Sequence, residues 1–229
     1  MKVKMDKIHR LLEMLKTGEN FALARFNDGE MKGVEHVGAK VARGDQTVNK
    51  ELSEKLKQAL RHKQHNYWIG LPCPVCWPGH RKVAETFIDA DYPFLTCAVV
   101  TTNRNWKLFI REFGQSVGNR PVAWVSGDSQ NLEGLKKHGI ELNVVQQLGV
   151  PVKNAFSKYP DIKAKVSAFQ PDSVVVISCG PMSRVLACDW WKERQDCTFL
   201  DVGSAFDPFT RNVWHKCHKG VLKRCEGCN

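Results

Sequence analysis

No window of the 229-residue sequence approaches the roughly 18 apolar residues that a membrane-spanning helix requires. Internal repeats, low-complexity tracts and convincing linkers are also lacking, which argues against a repeat array. The start, Met1-Lys-Val-Lys-Met-Asp-Lys7, has too much charge and too little apolar length for a secretory signal. An intracellular, cytoplasmic protein is therefore expected, with a viral origin left open. Acidic residues are in deficit: 24 Asp and Glu stand against 34 Lys and Arg, a net charge of +10. A surplus of this size suits anionic partners such as nucleotides, nucleic acid or an acidic membrane face. A merely well-solvated basic surface would give the same total.

What is present fits one α/β domain. Apolar residues recur at helical spacing over 4–17, with Gly18 as a C-cap, and over 49–64. Strands are expected at 21–26, 67–70, 97–101, 122–125, 142–146, 173–178 and 198–202. Helical stretches separate them at 80–90, 104–113, 131–138, 151–168 and up to about Arg194. Apolar β-branched runs alternating with helices predict a Rossmann-like, mainly parallel sheet with helices on both faces. Residues 1–210 would form this domain, and 211–229 a basic Cys/His-rich appendage.

The stretch Phe21-Ala-Leu-Ala-Arg-Phe-Asn-Asp-Gly-Glu30 carries the strongest chemical signal. It reads as a short strand ending at a polar turn with Arg25, Asp28 and Glu30. Two carboxylates flanking a glycine suit Mg²⁺ or Mn²⁺ bridging to a diphosphate, and Arg25 suits a phosphate through its planar fork. The plain alternative is that the acids cap the following helix. Polar turns also follow the other strands, at Thr101-Thr-Asn103, Ser126-Gly-Asp128, Cys179-Gly-Pro181 and Asp201-Val-Gly203. In an open parallel sheet these would share the carboxyl edge, where ligands bind. For removing a proton from an acceptor, Glu35, His36, Asp128, Asp201 and Asp207 are all candidates, and the sequence does not choose among them.

Arg25-Phe-Asn-Asp-Gly-Glu30 resembles the Arg-Phe-Gly-Asp-Gly-Glu signature of the GT-D type glycosyltransferases. Thr102-Asn103 with Trp106-Lys107, Cys179-Gly-Pro181 and Phe199-Leu-Asp-Val-Gly203 are similar to later motifs of that family. The resemblance implies a metal-dependent enzyme moving a sugar from a nucleotide-sugar donor, UDP-glucose or similar, to an acceptor hydroxyl. It implies that Asp28 and Glu30 hold Mn²⁺ or Mg²⁺ on the donor diphosphate, with Asp201 also counted catalytic. It assigns Arg25, Asn103, Gly180 and Pro181 to the donor side. Asn27 departs from the usual glycine, though asparagine tolerates positive φ better than most residues.

Nine cysteines without an export signal argue against a disulfide framework. Cys73-Pro-Val-Cys76 and Cys225-Glu-Gly-Cys228 are pairs with zinc-chelating spacing. A structural Zn²⁺ could join both pairs, or sit in the tail with Cys217, His215 or His218; His80 lies near the first pair. The acceptor is less marked than the donor. Positive charge, seven tryptophans and the basic tail favour DNA carrying a 5-hydroxymethylpyrimidine such as 5-hydroxymethylcytosine. The alternatives are a glycan or glycoprotein acceptor, a non-catalytic nucleic-acid-binding module, or a phosphate-ester hydrolase using the same acids.

Overall fold

A strand covered on both faces needs no polar alternation, and Val174-Val-Val-Ile-Ser178 shows none before its last residue. In the computed structural model, which describes residues 7–42, 45–89 and 91–218, this stretch lies inside a parallel sheet. The elements are α1 (Ile8–Thr17), β1 (Ala22–Arg25), α2 (Asp28–Glu35), β2 (Lys40–Val41), β3 (Gln46–Thr47), α3 (Lys50–Arg61) and β4 (Tyr67–Leu71). They continue with α4 (Pro78–Glu85), β5 (Leu95–Cys97), α5 (Trp106–Val117), β6 (Pro121–Gly127), α6 (Glu133–Lys137) and β7 (Asn143–Val150). The last are α7 (Tyr159–Lys163), β8 (Val174–Ser178), α8 (Met182–Glu193), β9 (Thr198–Asp201) and α9 (Asp207–Thr210).

Seven strands form the main sheet in the order β5-β4-β1-β9-β8-β6-β7. Every pairing is parallel, with Leu23 of β1 level with Trp68 on one side and Leu200 on the other. The expected mainly parallel α/β sheet is what the chain builds. Successive side chains along a strand face opposite ways. Thus Ala22, Ala24, Val175 and Ile177 pack with α2, α3, α4 and α8, whereas Leu23, Val174, Val176 and Leu200 pack with α1 and α5. Right-handed crossovers account for which helix goes where. Connections moving toward the β5 edge lie on the first face, and those moving toward β7 lie on the second.

Local signals set the ends. Gly18 closes α1 in the left-handed conformation, φ 74°, and the Asn49 side chain accepts from Leu52 N at 2.8 Å to start α3. Two expectations need correction. The expected strand at 97–101 is shorter and earlier, Leu95–Cys97, with a turn from Ala98 onward. There the backbone bends so that the Ala98 carbonyl meets Arg25. The polar turn expected after β1 is itself the first turn of α2, as the capping alternative had it, and the antiparallel pair β2–β3 beyond it has too few residues to show a pattern in the sequence.

Gly33 sits where α2 crosses Val48 and Leu56, and a β-carbon there would lie 2.9 Å from Val48 Cγ2. A Gly33→Ala variant should therefore lose about 1–3 kcal/mol of stability through overpacking, read as a lower midpoint in urea unfolding. An unchanged midpoint would show that α2 can shift freely.

Candidate functional site

The topology fixes where a site can form. The chain leaves β1 and β8 toward one face and leaves β9 toward the other, and a parallel sheet places its ligand crevice at the carboxyl edge where such a reversal occurs. Polar groups from sequence-distant turns meet there. Asp201, at the end of β9, is fully buried. Its carboxylate accepts from Arg25 N at 3.1 Å, Arg25 Nη2 at 3.4 Å and Gly203 N at 3.0 Å, and pairs with Arg184 Nε at 3.1 Å. Arg25 is equally committed: Nε donates to Asp201 O at 2.8 Å and Nη1 to Ala98 O at 3.0 Å.

Arg184, in the first turn of α8, completes the arrangement. It donates to Arg25 O at 2.6 Å and Gly180 O at 2.7 Å, and Nη2 lies 3.4 Å from Glu30 Oε1. The other Glu30 oxygen accepts from Asn27 N at 3.1 Å. This is one half of a capping box; the return contact falls short, and Asn27 Oδ1 is buried without a partner. Two buried cations thus face two carboxylates. Burial pulls the Arg25 guanidinium below its ordinary value against the opposing pull of Asp201. At Arg184 the same desolvation is outweighed by Asp201 and Glu30, and its value rises. Both stay charged at physiological pH.

Asp28 differs from Glu30. It is half-buried at the first position of α2, and its carboxylate has no hydrogen bond or ion pair with any described residue. A divalent cation would find one free hard oxygen donor in Asp28 and one shared with Arg184 in Glu30, a set that fits only if phosphate and water supply the remaining positions. Among the described residues no group of three or more His, Cys, Asp or Glu is arranged to hold a metal.

The remaining candidates separate. Asn103 is buried with φ 53° in the short turn after β5, and Gly180, φ 64°, lies under Gln46 of β3. Pro181 is the N-cap of α8. Asp128 stands off toward Gly149 at the β6–β7 side. Glu35 pairs with His80 at 2.7 Å, His36 is exposed, and Asp207 holds His215 at 2.8 Å. Cys73 is buried beside Cys76 N, whereas Cys225 and Cys228 lie outside the described residues, as does the appendage beyond His218. Residues 211–218 lie against the body: the turn Lys216–His218 rests on Asn103–Asn105 and α5, and Trp106 contacts Trp214 and His218. Burial pushes the Cys179 thiol up to about 12, so it is no thiolate nucleophile.

Arg184 escaped the sequence reading. Its signal was a lone cation inside Met182-Ser-Arg-Val-Leu-Ala-Cys188, an otherwise nearly apolar helical run directly after Gly180-Pro181. Gln46 was equally silent, yet it bridges the β3 strand to Val152 O and Ala155 N.

The chain is similar to known proteins at two levels. A family model described as the glycosyltransferase GT-D fold matches residues 119–220, which excludes Arg25–Glu30, so this match is independent of that motif. A solved structure of the domain of unknown function 1792, described as having a distinct glycosyltransferase fold, superposes with a TM-score of 0.68 at 19% identity, covering 96% of this chain and 88% of that one. A glycosyltransferase of the same domain type from Streptococcus sanguinis gives 0.69 at 18% identity, covering 91% and 85%. No curated protein sequence matches. The chain shares the glycosyltransferase fold of these solved structures, and residues 119–220 match the GT-D model.

Removing Arg25 as Arg25→Met should cost about 3–5 kcal/mol, because it strips a partner from a fully buried carboxylate; guanidinium unfolding measures this, and a loss under 1 kcal/mol would contradict the buried quartet. A second expectation concerns the tail. His218 Nε2 faces Ser204 O at 2.9 Å and Nδ1 accepts from His215 N at 3.1 Å, which fixes the neutral ring. Burial lowers its pKa from 6.5. The unfolded ring therefore takes up a proton first as pH falls. Docking is at full strength above the ordinary value and weakens below it. Amide exchange across 211–218, corrected for intrinsic rates, should accelerate between pH 7.5 and 5.5.

Proposed function

We propose that this protein is a glycosyltransferase that uses a nucleotide-sugar donor, UDP-glucose or a close analogue, together with Mn²⁺ or Mg²⁺. The observation that carries the reading is the charge balance at the carboxyl edge. Arg25 and Arg184 are spent on Asp201 and Glu30, so Asp28 remains as an uncompensated carboxylate beside the crevice. An anionic diphosphate approaching it needs a cation between them. Asp28 and Glu30 would hold that ion, which when bound supplies electrostatic stabilisation for a leaving diphosphate.

The protein's own groups do the remaining work. Glu30 is pinned by Arg184 and Asn27 N, which holds it beside Asp28 instead of letting it swing into solvent. The start of α2 adds N–H groups and the positive end of its dipole, which favour a phosphate. Arg25 and Asp201 act as the frame: their hydrogen bonds join β1, β9 and the turn after β5. For the acceptor, the net charge of +10 and the exposed Trp77 and Trp214 favour DNA bearing a 5-hydroxymethylpyrimidine. A glycan acceptor is the competing outcome.

The test incubates the protein and Mn²⁺ with a panel of nucleotide sugars and either 5-hydroxymethylcytosine DNA or a glycan array, and reads product mass. Transfer is expected for the wild type and should fall at least about 10²-fold in Asp28→Asn, with the unfolding midpoint unchanged. Transfer only to glycans would replace the DNA acceptor. Binding of DNA with no donor turnover, or release of inorganic phosphate alone, would remove the transferase reading.

A further inference from the structure

We propose that His80, oriented by Glu35, is the base that takes the proton from the attacking hydroxyl; this deepens the transferase reading and rests on it. Asp28 and Glu35 are seven residues apart on α2, which puts them on one face, about 10 Å apart along the axis. That spacing separates a diphosphate site from an acceptor site by roughly one sugar. Glu35 Oε1 lies 2.7 Å from His80 Nδ1. A carboxylate on Nδ1–H leaves Nε2 as the acceptor nitrogen, and Nε2 has no hydrogen-bond partner among the described residues.

The surroundings suit an incoming ring. The segment 72–77 follows the carboxyl end of β4, so His80 stands beside the same sheet edge as Asp28. Trp77 lies 5.8 Å from the His80 ring. It is 40% exposed and Val75 is 54% exposed, forming an apolar rim on which the face of a ring-bearing acceptor can rest. The element packed against α4 is α2. Of its charged groups, Glu35 faces the ring, with His36 Nε2 behind it at 3.9 Å from the other Glu35 oxygen. Glu30 is turned to Arg184 and Lys32 is exposed. On α4 itself, Arg81 is held by Glu85 and Pro72 O.

Two of the other candidate bases, Asp201 and Asp207, are engaged elsewhere. Asp201 already takes three hydrogen bonds and an ion pair, and Asp207 is shared between His215 and Arg211 at 3.7 Å. In the step, the hydroxyl proton passes to Nε2 while the oxygen's electron pair forms the bond to the anomeric carbon. The bond from that carbon to the diphosphate oxygen breaks, and its pair leaves with the nucleoside diphosphate. The imidazolium then returns its proton to solvent.

The experiment follows UDP, ADP or GDP release from the matching glucose donors with Mn²⁺, with water and with 5-hydroxymethylcytosine DNA as acceptors, across pH. His80→Gln should lower kcat by about 10²–10³-fold with donor KM unchanged, and abolish the acid limb of the wild-type profile. Added imidazole should restore part of the rate in His80→Ala. Glu35→Gln should lower kcat by about 10-fold and displace the acid limb, as expected of a positioning residue. Donor affinity, read by calorimetry, confirms that each variant is folded. Wild-type kcat and an unchanged limb in His80→Gln overturn the base assignment but leave the transferase reading standing. Failure of the wild type to turn over any donor with water, with this DNA or with a glycan array removes both.

Discussion

Asp201 cannot be charged and buried unless Arg25 and Arg184 face it, and neither arginine can be buried without a carboxylate. Isolating any one of these charges from water would cost several kcal/mol, so the groups are placed together or not at all. Because they come from β1, α8 and β9, their mutual requirement ties the centre of the sheet to the helix that covers it. Gly203 belongs to the same constraint. Its φ of 54° and the Arg25 guanidinium beside it leave no room for a side chain.

This constraint also divides labour between residues that look equivalent. Asp28 and Glu30 flank one glycine, yet Glu30 belongs to the interior network and Asp28 to the crevice. The same division ties the arginine at the end of β1 to the interior, where its guanidinium donates to Asp201 and to the Ala98 carbonyl. A site built this way presents one unpaired charge against a fixed, balanced background. Such preorganisation is what electrostatic catalysis exploits.

Much of this was legible in the sequence. The β-branched runs gave the strands, because a parallel sheet covered on both faces leaves its composition no alternative, and the polar turns after them gave the edge. Asp28 and Glu30 stood out through their spacing around Gly29. Arg184 did not, since a cation within a helix is ordinarily read as solvent-facing and only the fold reveals that this one points inward. The Glu35–His80 pair was hidden for another reason. Its members lie 45 residues apart, and no local pattern links the end of one helix to the start of another. The role of Glu30 as a helix cap was readable from Asn27-Asp-Gly-Glu30, and Glu30 does accept from Asn27 N.

The strand order carries one more consequence. β9, which follows the other six strands of the main sheet in sequence, lies between β1 and β8 in the middle of the sheet. While the chain is being synthesised, the earlier strands have a gap where their central neighbour belongs, and Arg25 has no counter-charge until Asp201 emerges. Long-range closure of this kind is slow compared with local pairing. The buried charge network should therefore be missing until β9 is synthesised and should form in a single step when that strand docks.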